Sequence, residues 1–458
     1  MSIEVRGFTR RCVDVWSQTD SSPETLPAEP RYTAEDQSAR EGHLERLLHV
    51  LSEVGRDPPR TEGERRASEE RLLSAFETFA ESALGFNEQQ INALHLRDMS
   101  RLSTQFTSAA RRFDPEVSDG DLFQALRNAW TMAYIELLIG TPVRLTPAIF
   151  AYSMLYPYSD NYLDDPSVDE GDKTLFVERL GLRLAGGEVA APNAFERAIF
   201  HLVSMIEVHY DRAEHPEVYE SLLAIHDAQK KSTDLLRRDA ALGEVDVLGI
   251  GFQKGGCSVL ADGYLVAGHL TKAQAESLFR LGTVLQLVDD LQDVHDDVRD
   301  GLMTAFSRAA AGCSSQDTRL PHGTGDLCPI DDIATRTMWY AAAVAQDMTC
   351  FHSADSTQIR EVLRGSVALM LILAISRVSE YFSEAYIEKV ETQSPFRFSF
   401  LSDCSRRYAE QGVTRPGLAR TFASFCGPRT KVPADVELLL KRRGQPSPAR
   451  VRRTPRGR

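Results

Sequence analysis

The chain is expected to fold as a large all-α bundle, and three observations predict it. Apolar residues recur at three- and four-residue steps through long stretches such as HLERLLHVLSEV (43–54) and ERRASEERLLSAFETFAESAL (64–84). No strand-rich segment and no repeat of fixed period occurs. Hydrophobic residues make up 42 % of the 458 positions against 26 % charged, enough to bury a sizeable core.

Residues 1–40 are polar, carry Ser21-Ser22-Pro23 and the prolines Pro27 and Pro30, and lack a period, which marks a flexible arm. From Glu41 to about Cys426 the pattern is that of one helical domain. Its first two helices are separated by Arg56-Asp57-Pro58-Pro59, because the residue before a proline is driven out of the α region. Further helices are read over about 87–113 and 119–140, with Leu and Phe stripes that wall a core. The apolar run TPAIFAYSMLYPYSDNYL (146–163) gives another. Its Phe150, Tyr152, Tyr156, Tyr158 and Tyr162 are either core packing or a lining that stabilises cations.

Residues 169–187 read as a loop and a short helix with Lys173, Arg179 and Arg183, side chains that either reach an anion or sit in surface ion pairs. One or two long helices fill 195–241, and His201, His209, His215 and His226 have no metal-ligand companions there. The glycine-rich GIGFQKGG (249–256) lacks the preceding strand of a dinucleotide or P-loop site, so it is read as a helix break or a helix entry. CSSQDTRLPHGTGDLCP (313–329) is a long polar loop, either a lid or a disordered insertion. Helices resume at about 331–353, 356–382, 398–412 and 416–425. Residues 427–458 end in KRRGQPSPARVRRTPRGR, a basic, proline-rich tail expected to be disordered.

The chemistry gathers in LGTVLQLVDDLQDVHDDVRDG (281–301). Read as one amphipathic helix, its apolar side carries Leu281, Val284, Leu285, Val288 and Leu291. At 3.6 residues per turn, Asp289, Asp293 and Asp297 fall at i, i+4 spacing on one face, about 6 Å apart. Like charges so placed weaken a helix, so the stripe is either a solvated acidic face or a site for a hard cation, Mg²⁺ above all. The acids interleave with apolar residues in LVDDL, at the edge of a core, and that favours the cation. A second cluster stands upstream in YPYSDNYLDDPSVDEGDK, where Asp160 and Asp164 are again i, i+4 with Asp165 beside them. These acids end an apolar helix, where the dipole is already negative; a bound cation resolves the conflict, and a turn before Pro166 is the plainer explanation.

Together, DNYLD (160–164) and DDLQD (289–293) resemble the two aspartate-rich motifs of the class I terpenoid synthase superfamily, which includes trans-isoprenyl diphosphate synthases and class I terpene cyclases. LGTVLQLVDDLQDVHDD is similar to the second motif of the prenyl synthases, with Gln286 in the place of the glutamine that precedes their aspartates. In the cyclase register, Asp289, Asp293 and Asp297 take the three metal-ligand places. The resemblance covers 146–307 and extends to about Cys426. It implies that Lys254 binds diphosphate, and that Arg407-Tyr408 stands in the place of the Arg-Tyr pair near the cyclase C-terminus. The chain departs from the pattern at Asn161, where a prenyl synthase has its second aspartate. It also lacks an arginine pair closely after the first motif and a Gly-Gly-Lys-Arg-like segment for isopentenyl diphosphate, which argues against chain elongation.

The resemblance implies a bundle of the isoprenoid synthase type with the two clusters facing each other across a central cavity. Mg²⁺ is the implied cofactor and an allylic prenyl diphosphate the implied small-molecule substrate. Asp160, Asp164, Asp289 and Asp293 would be catalytic; Asp297 would complete the metal ligands; Lys254, Gln286, Arg407 and Tyr408 would bind substrate. A terpene synthase is the expected activity. A prenyltransferase is the alternative, and a helical binding protein that keeps the fold without catalysis is a second. A homodimer is compatible with all three.

Charge and cysteines bound the setting. Net charge is −14, and eight basic residues lie among the last eighteen, so the body is more acidic still and repels nucleic acid. Seven irregularly spaced cysteines form no zinc pattern and suggest reduced thiols in a cytoplasm. No secretory signal is read, and the longest apolar run, Val367 to Ile375, is too short to span a bilayer.

Overall fold

The computed structural model describes residues 3–27, 30–163, 165, 167–236, 246–314, 328–427 and 430–442. Among them every regular element is helical. Asp164, the centre of the polar loop (315–327) and the end of the basic tail (443–458) lie outside the described residues. The chain begins with α1 (Val5–Gln18), α2 (Ala34–Arg56), α3 (Glu62–Ser82), α4 (Glu88–Ala93) and α5 (Leu96–Phe113). It continues through α6 (Asp119–Ile139), α7 (Pro147–Leu163), α8 (Glu170–Leu184), α9 (Ala194–His209) and α10 (Pro216–Ser232). The middle of the bundle is α11 (Val247–Ala267) and α12 (Lys272–Gln292), followed by α13 (Val294–Asp300), α14 (Ala305–Ser314) and α15 (Pro329–Asp347). Last come α16 (Ser356–Arg377), α17 (Glu384–Glu391), α18 (Phe398–Glu410), α19 (Arg415–Phe425) and α20 (Ala434–Arg442). Starts are written locally: Thr33, Thr61 and Thr271 each form a capping box with the residue three positions on.

Helix α11 is the axis of the fold. It packs against α1, α6, α7, α10 and, most extensively, α12. The glycine-rich stretch expected to break or open a helix lies at its start: α11 begins at Val247, two residues upstream, and the backbone then continues as one helix through Gly249–Gly256. The glycines serve approach instead. A Cβ at Gly255 would stand 2.5 Å from the Gly282 carbonyl oxygen, and one at Gly282 would stand 2.2 Å from that of Gly255. At Gly256 it would meet the Phe279 ring at 2.5 Å. Glycine costs an exposed helix interior roughly 1 kcal/mol relative to alanine, and here that cost is set against backbone-to-backbone contact between two buried helices.

The ends of the chain depart from expectation. Residues 5–18 are a docked helix, not a loose arm, with Phe8, Cys12 and Trp16 buried at four-residue spacing. Phe8 meets Phe279 at 5.6 Å between ring centroids, and Trp16 meets Phe252 edge-on at 6.4 Å. Arg11 pairs with Glu276 at 2.6 Å, and Lys272 with Glu4 at 2.9 Å. The following strap is pinned by its carbonyls: those of Pro23, Thr25 and Pro27 accept from Lys389, Trp339 and Gln393. The inward face of α1 is a narrow stripe, Phe8, Cys12 and Trp16 with Val5 and Val13 at its edge, so a composition reading sees polarity. At the other end, α20 buries Val436 and Leu439, which carries ordered structure past the expected boundary at 427. A small second core of Leu47, Phe79, Ala83 and Phe396 joins α2 and α3 to the segment before α18. No helix among the described residues is long and apolar enough to cross a membrane.

Phe8→Ala is predicted to lower unfolding stability by about 3 kcal/mol, the usual cost of emptying a buried aromatic site. Urea unfolding of the full chain measures it; an undocked arm would leave the midpoint where it was.

Candidate functional site

The acid run sits where α12 leaves the core. Instead of one helix over 281–301, the backbone turns at Asp293 (φ −102°, ψ 5°), which closes α12 and opens α13. The i→i+4 ladder survives the turn: Asp293 N–H donates to the Asp289 carbonyl at 3.0 Å, and Asp297 N–H to that of Asp293 at 2.8 Å. The three aspartates thus keep the expected spacing but separate in environment. Asp289 is partly exposed and Asp293 exposed, whereas Asp297 is 7 % exposed and hydrogen-bonds Thr304 at the start of the α14 region.

Charge accumulates here faster than it is offset. Burial pushes the Asp297 carboxyl up to about 7, and repulsion from Asp290 and Asp293 adds to it. Asp290, which the sequence reading left out of the site, is likewise pushed to about 7, first by burial; a 2.8 Å hydrogen bond from Gln286 and the charge of Lys254 act against that. Asp293 is raised by burial and by Asp289, with Arg415 and Arg127 opposing. Lys254 and Gln286 therefore both meet the acid run: Gln286 by its four-residue spacing from Asp290 on α12, Lys254 because the close α11–α12 crossing at Gly255 brings α11 there.

Two arginines escaped the sequence reading. Arg127 on α6 stands 3.7 Å from Asp289, both side chains half-exposed, and Arg415 opens α19 beside Asp293. No local motif marks either one, since they come from helices distant in sequence. Arg407 and Tyr408 are placed elsewhere: Arg407 pairs with Glu45 at 2.7 Å, and the Tyr408 hydroxyl donates to the Glu45 carbonyl. The pair fastens α18 to α2, and the structure does not bring it to the acid run.

The first cluster ends α7, one turn after Pro157, which interrupts the helix ladder. Asp160 accepts from Gln229 of α10 at 3.0 Å, and Asn161 donates to Asp121 of α6 at 2.8 Å. Asp165 caps its own turn through Ser167. Helix α6 thus touches both clusters, Asp121 at the first and Arg127 at the second. A cavity of about 580 Å³ opens beside Asp160 between α7, α8 and α10, with Tyr152, Leu155, Phe176 and Ile225 in its walls and Gln229 at its edge. Of the other α7 rings, Phe150 packs on Phe106 and Phe113, and Tyr158 and Tyr162 stack on Phe195. Arg179 and Arg183 are ion-paired with Glu196 and Glu207, and Lys173 with Glu170; the two arginine pairs are mostly buried, Glu196 fully so, rather than at the surface, and Lys173 lines the cavity.

The donor chemistry fits Mg²⁺. Among the described residues no three acidic, histidine or cysteine side chains converge on one point. Mg²⁺ does not require that, because it keeps several waters and is held by one or two carboxylates together with substrate phosphates. Asp289 and Asp293 offer such oxygens at the end of α12, and Asp160 offers one at the end of α7; among the described residues, the cavity beside Asp160 is lined by no residue of α11 or α12.

The raised carboxyls give a sign to the pH dependence. Asp290 and Asp297 bind protons more tightly folded than unfolded, where an aspartate titrates near ~3.9. Their stabilising contribution is complete below about pH 4 and is lost as pH rises through 7. The metal-free protein is therefore predicted to have a lower thermal midpoint at pH 8 than at pH 5, and Asp297→Asn to flatten that difference; equal slopes in both proteins would contradict the assignment. No protein-family model matches this chain, and no curated protein matches it either.

Proposed function

We propose that the chain is a class I terpene synthase with a bundle of the isoprenoid synthase type, acting on one allylic prenyl diphosphate. The observation that carries the reading is the acid run at the end of α12, on the edge of the core, with Lys254, Arg127 and Arg415 around it. Mg²⁺ held by Asp289 and Asp293, with Asp160 as the ligand from the first cluster, would supply charge neutralisation for the leaving diphosphate. Lys254 and Arg127 add fixed positive charge to the same oxygens. The allylic C–O bond breaks heterolytically, diphosphate leaves with the electron pair, and the allylic carbocation then loses a proton, cyclises or takes up water. Apolar walls of the kind found beside Asp160 exclude bulk water from that ion. A cytoplasmic setting and a homodimer belong to the same reading.

A helical binding protein without catalysis is the second reading, and one observation favours it. Asp160 is held by Gln229, and Asp289 has Arg127 beside it, so both principal ligands already have partners.

The test is Mg²⁺-dependent release of pyrophosphate from geranyl, farnesyl and geranylgeranyl diphosphates, with and without isopentenyl diphosphate, and identification of the organic product. A hydrocarbon or alcohol from a single substrate is expected. Asp289→Ala should cut turnover by about a hundredfold or more, the scale of losing one preorganised electrostatic group, with little loss of stability. Release only with isopentenyl diphosphate present would identify a prenyltransferase, and silence from folded protein across the panel would leave the binding reading.

A further inference from the structure

A carboxyl group lies where the acid chemistry does not use it. Asp262, in the second half of α11, is 1 % exposed, and burial pushes its pKa well above the usual carboxylate range while a hydrogen bond from Asn128 pulls it down. Asn128 Nδ2 donates to Asp262 Oδ1 and to Ser153 Oγ, each at 3.2 Å. One amide group therefore ties three helices, α6, α7 and α11, inside an otherwise apolar junction.

The position of that tie matters because of what else α6 carries. Asn128 follows Arg127, which faces Asp289, and stands seven residues from Asp121, which receives the Asn161 hydrogen bond. Seven residues are close to two turns, so Asn128 and Asp121 share a side of the helix. A slip of α6 by a single residue would rotate this face by about 100° and move both contacts at once. Apolar side chains resist such a slip weakly, since their contacts are non-directional; an amide that must find two buried partners resists it strongly.

We propose that Asn128 and Asp262 are positioning residues, whose hydrogen bond fixes the register of α6 against α7 and α11 and thereby the approach of the two acid clusters. The part that concerns the clusters rests on the function proposed above. Asn128→Leu removes the amide while keeping bulk, and the double exchange N128D/D262N restores one amide and one carboxyl in contact with their helices swapped. Mn²⁺ alone is the probe, titrated into each full-length variant, with thermal unfolding measured alongside. Asn128→Leu is expected to weaken Mn²⁺ binding about tenfold, the lower range for residues that orient metal ligands, and to lower the unfolding midpoint. N128D/D262N is expected to recover both, which a role in filling space would not produce. Wild-type Mn²⁺ affinity in Asn128→Leu, or an exchange no better than Asn128→Leu, would overturn the proposal. Should the wild type bind no Mn²⁺, the proposed function fails on its own, and the pair is decided by whether the exchange restores the midpoint.

Discussion

The crossing of α11 and α12 is the contact on which the rest of this molecule depends. Gly255 and Gly282 let two backbones approach so closely that neither position has room for a Cβ. That approach makes α12 a buried element for most of its length and lets it reach the edge of the core at Asp289, where its sequence turns acidic. It also sets Lys254, next to Gly255, against Asp290 one turn beyond Gln286. A bulkier crossing would carry the lysine away from the acids and open the seam that α1 covers with Phe8 and Trp16.

Around this seam the electrostatics are unbalanced. Five aspartates from 289 to 297 share a half-buried corner, and three of them have raised pKa values because burial and mutual repulsion act together. Arg127 and Arg415 arrive from α6 and α19 and offset part of that charge. The corner stores repulsion that a divalent cation would relieve, which is the physical content of calling it a site. Helix α6 then couples it to the end of α7, where Asp160 and Asn161 are each held by a side chain from another helix.

Much of this was legible in the sequence, for reasons that particular residues explain. The all-α class followed from three- and four-residue apolar steps, and Asp119–Gly140 was bounded correctly because Ser118 caps it and Gly140 ends it with a left-handed backbone. The acid run was visible because its spacing is local. What escaped was set by contacts between distant segments. GIGFQKGG reads as a break or an entry until Gly282 is brought against it inside one helix, and the amphipathic period of α1 is hidden in polar composition. Arg407-Tyr408 matched a dipeptide pattern but pairs with Glu45, a partner no local reading reveals. Arg127 and Arg415 carry no motif at all.

The most direct measurement is anomalous diffraction from crystals grown with Mn²⁺ and inorganic pyrophosphate. The account predicts manganese against Asp289 and Asp293, with the pyrophosphate reaching Lys254 and with Arg127 turned from Asp289 toward the anion. Manganese absent from those carboxylates, with Arg127 still beside Asp289 and pyrophosphate bound elsewhere, would contradict it.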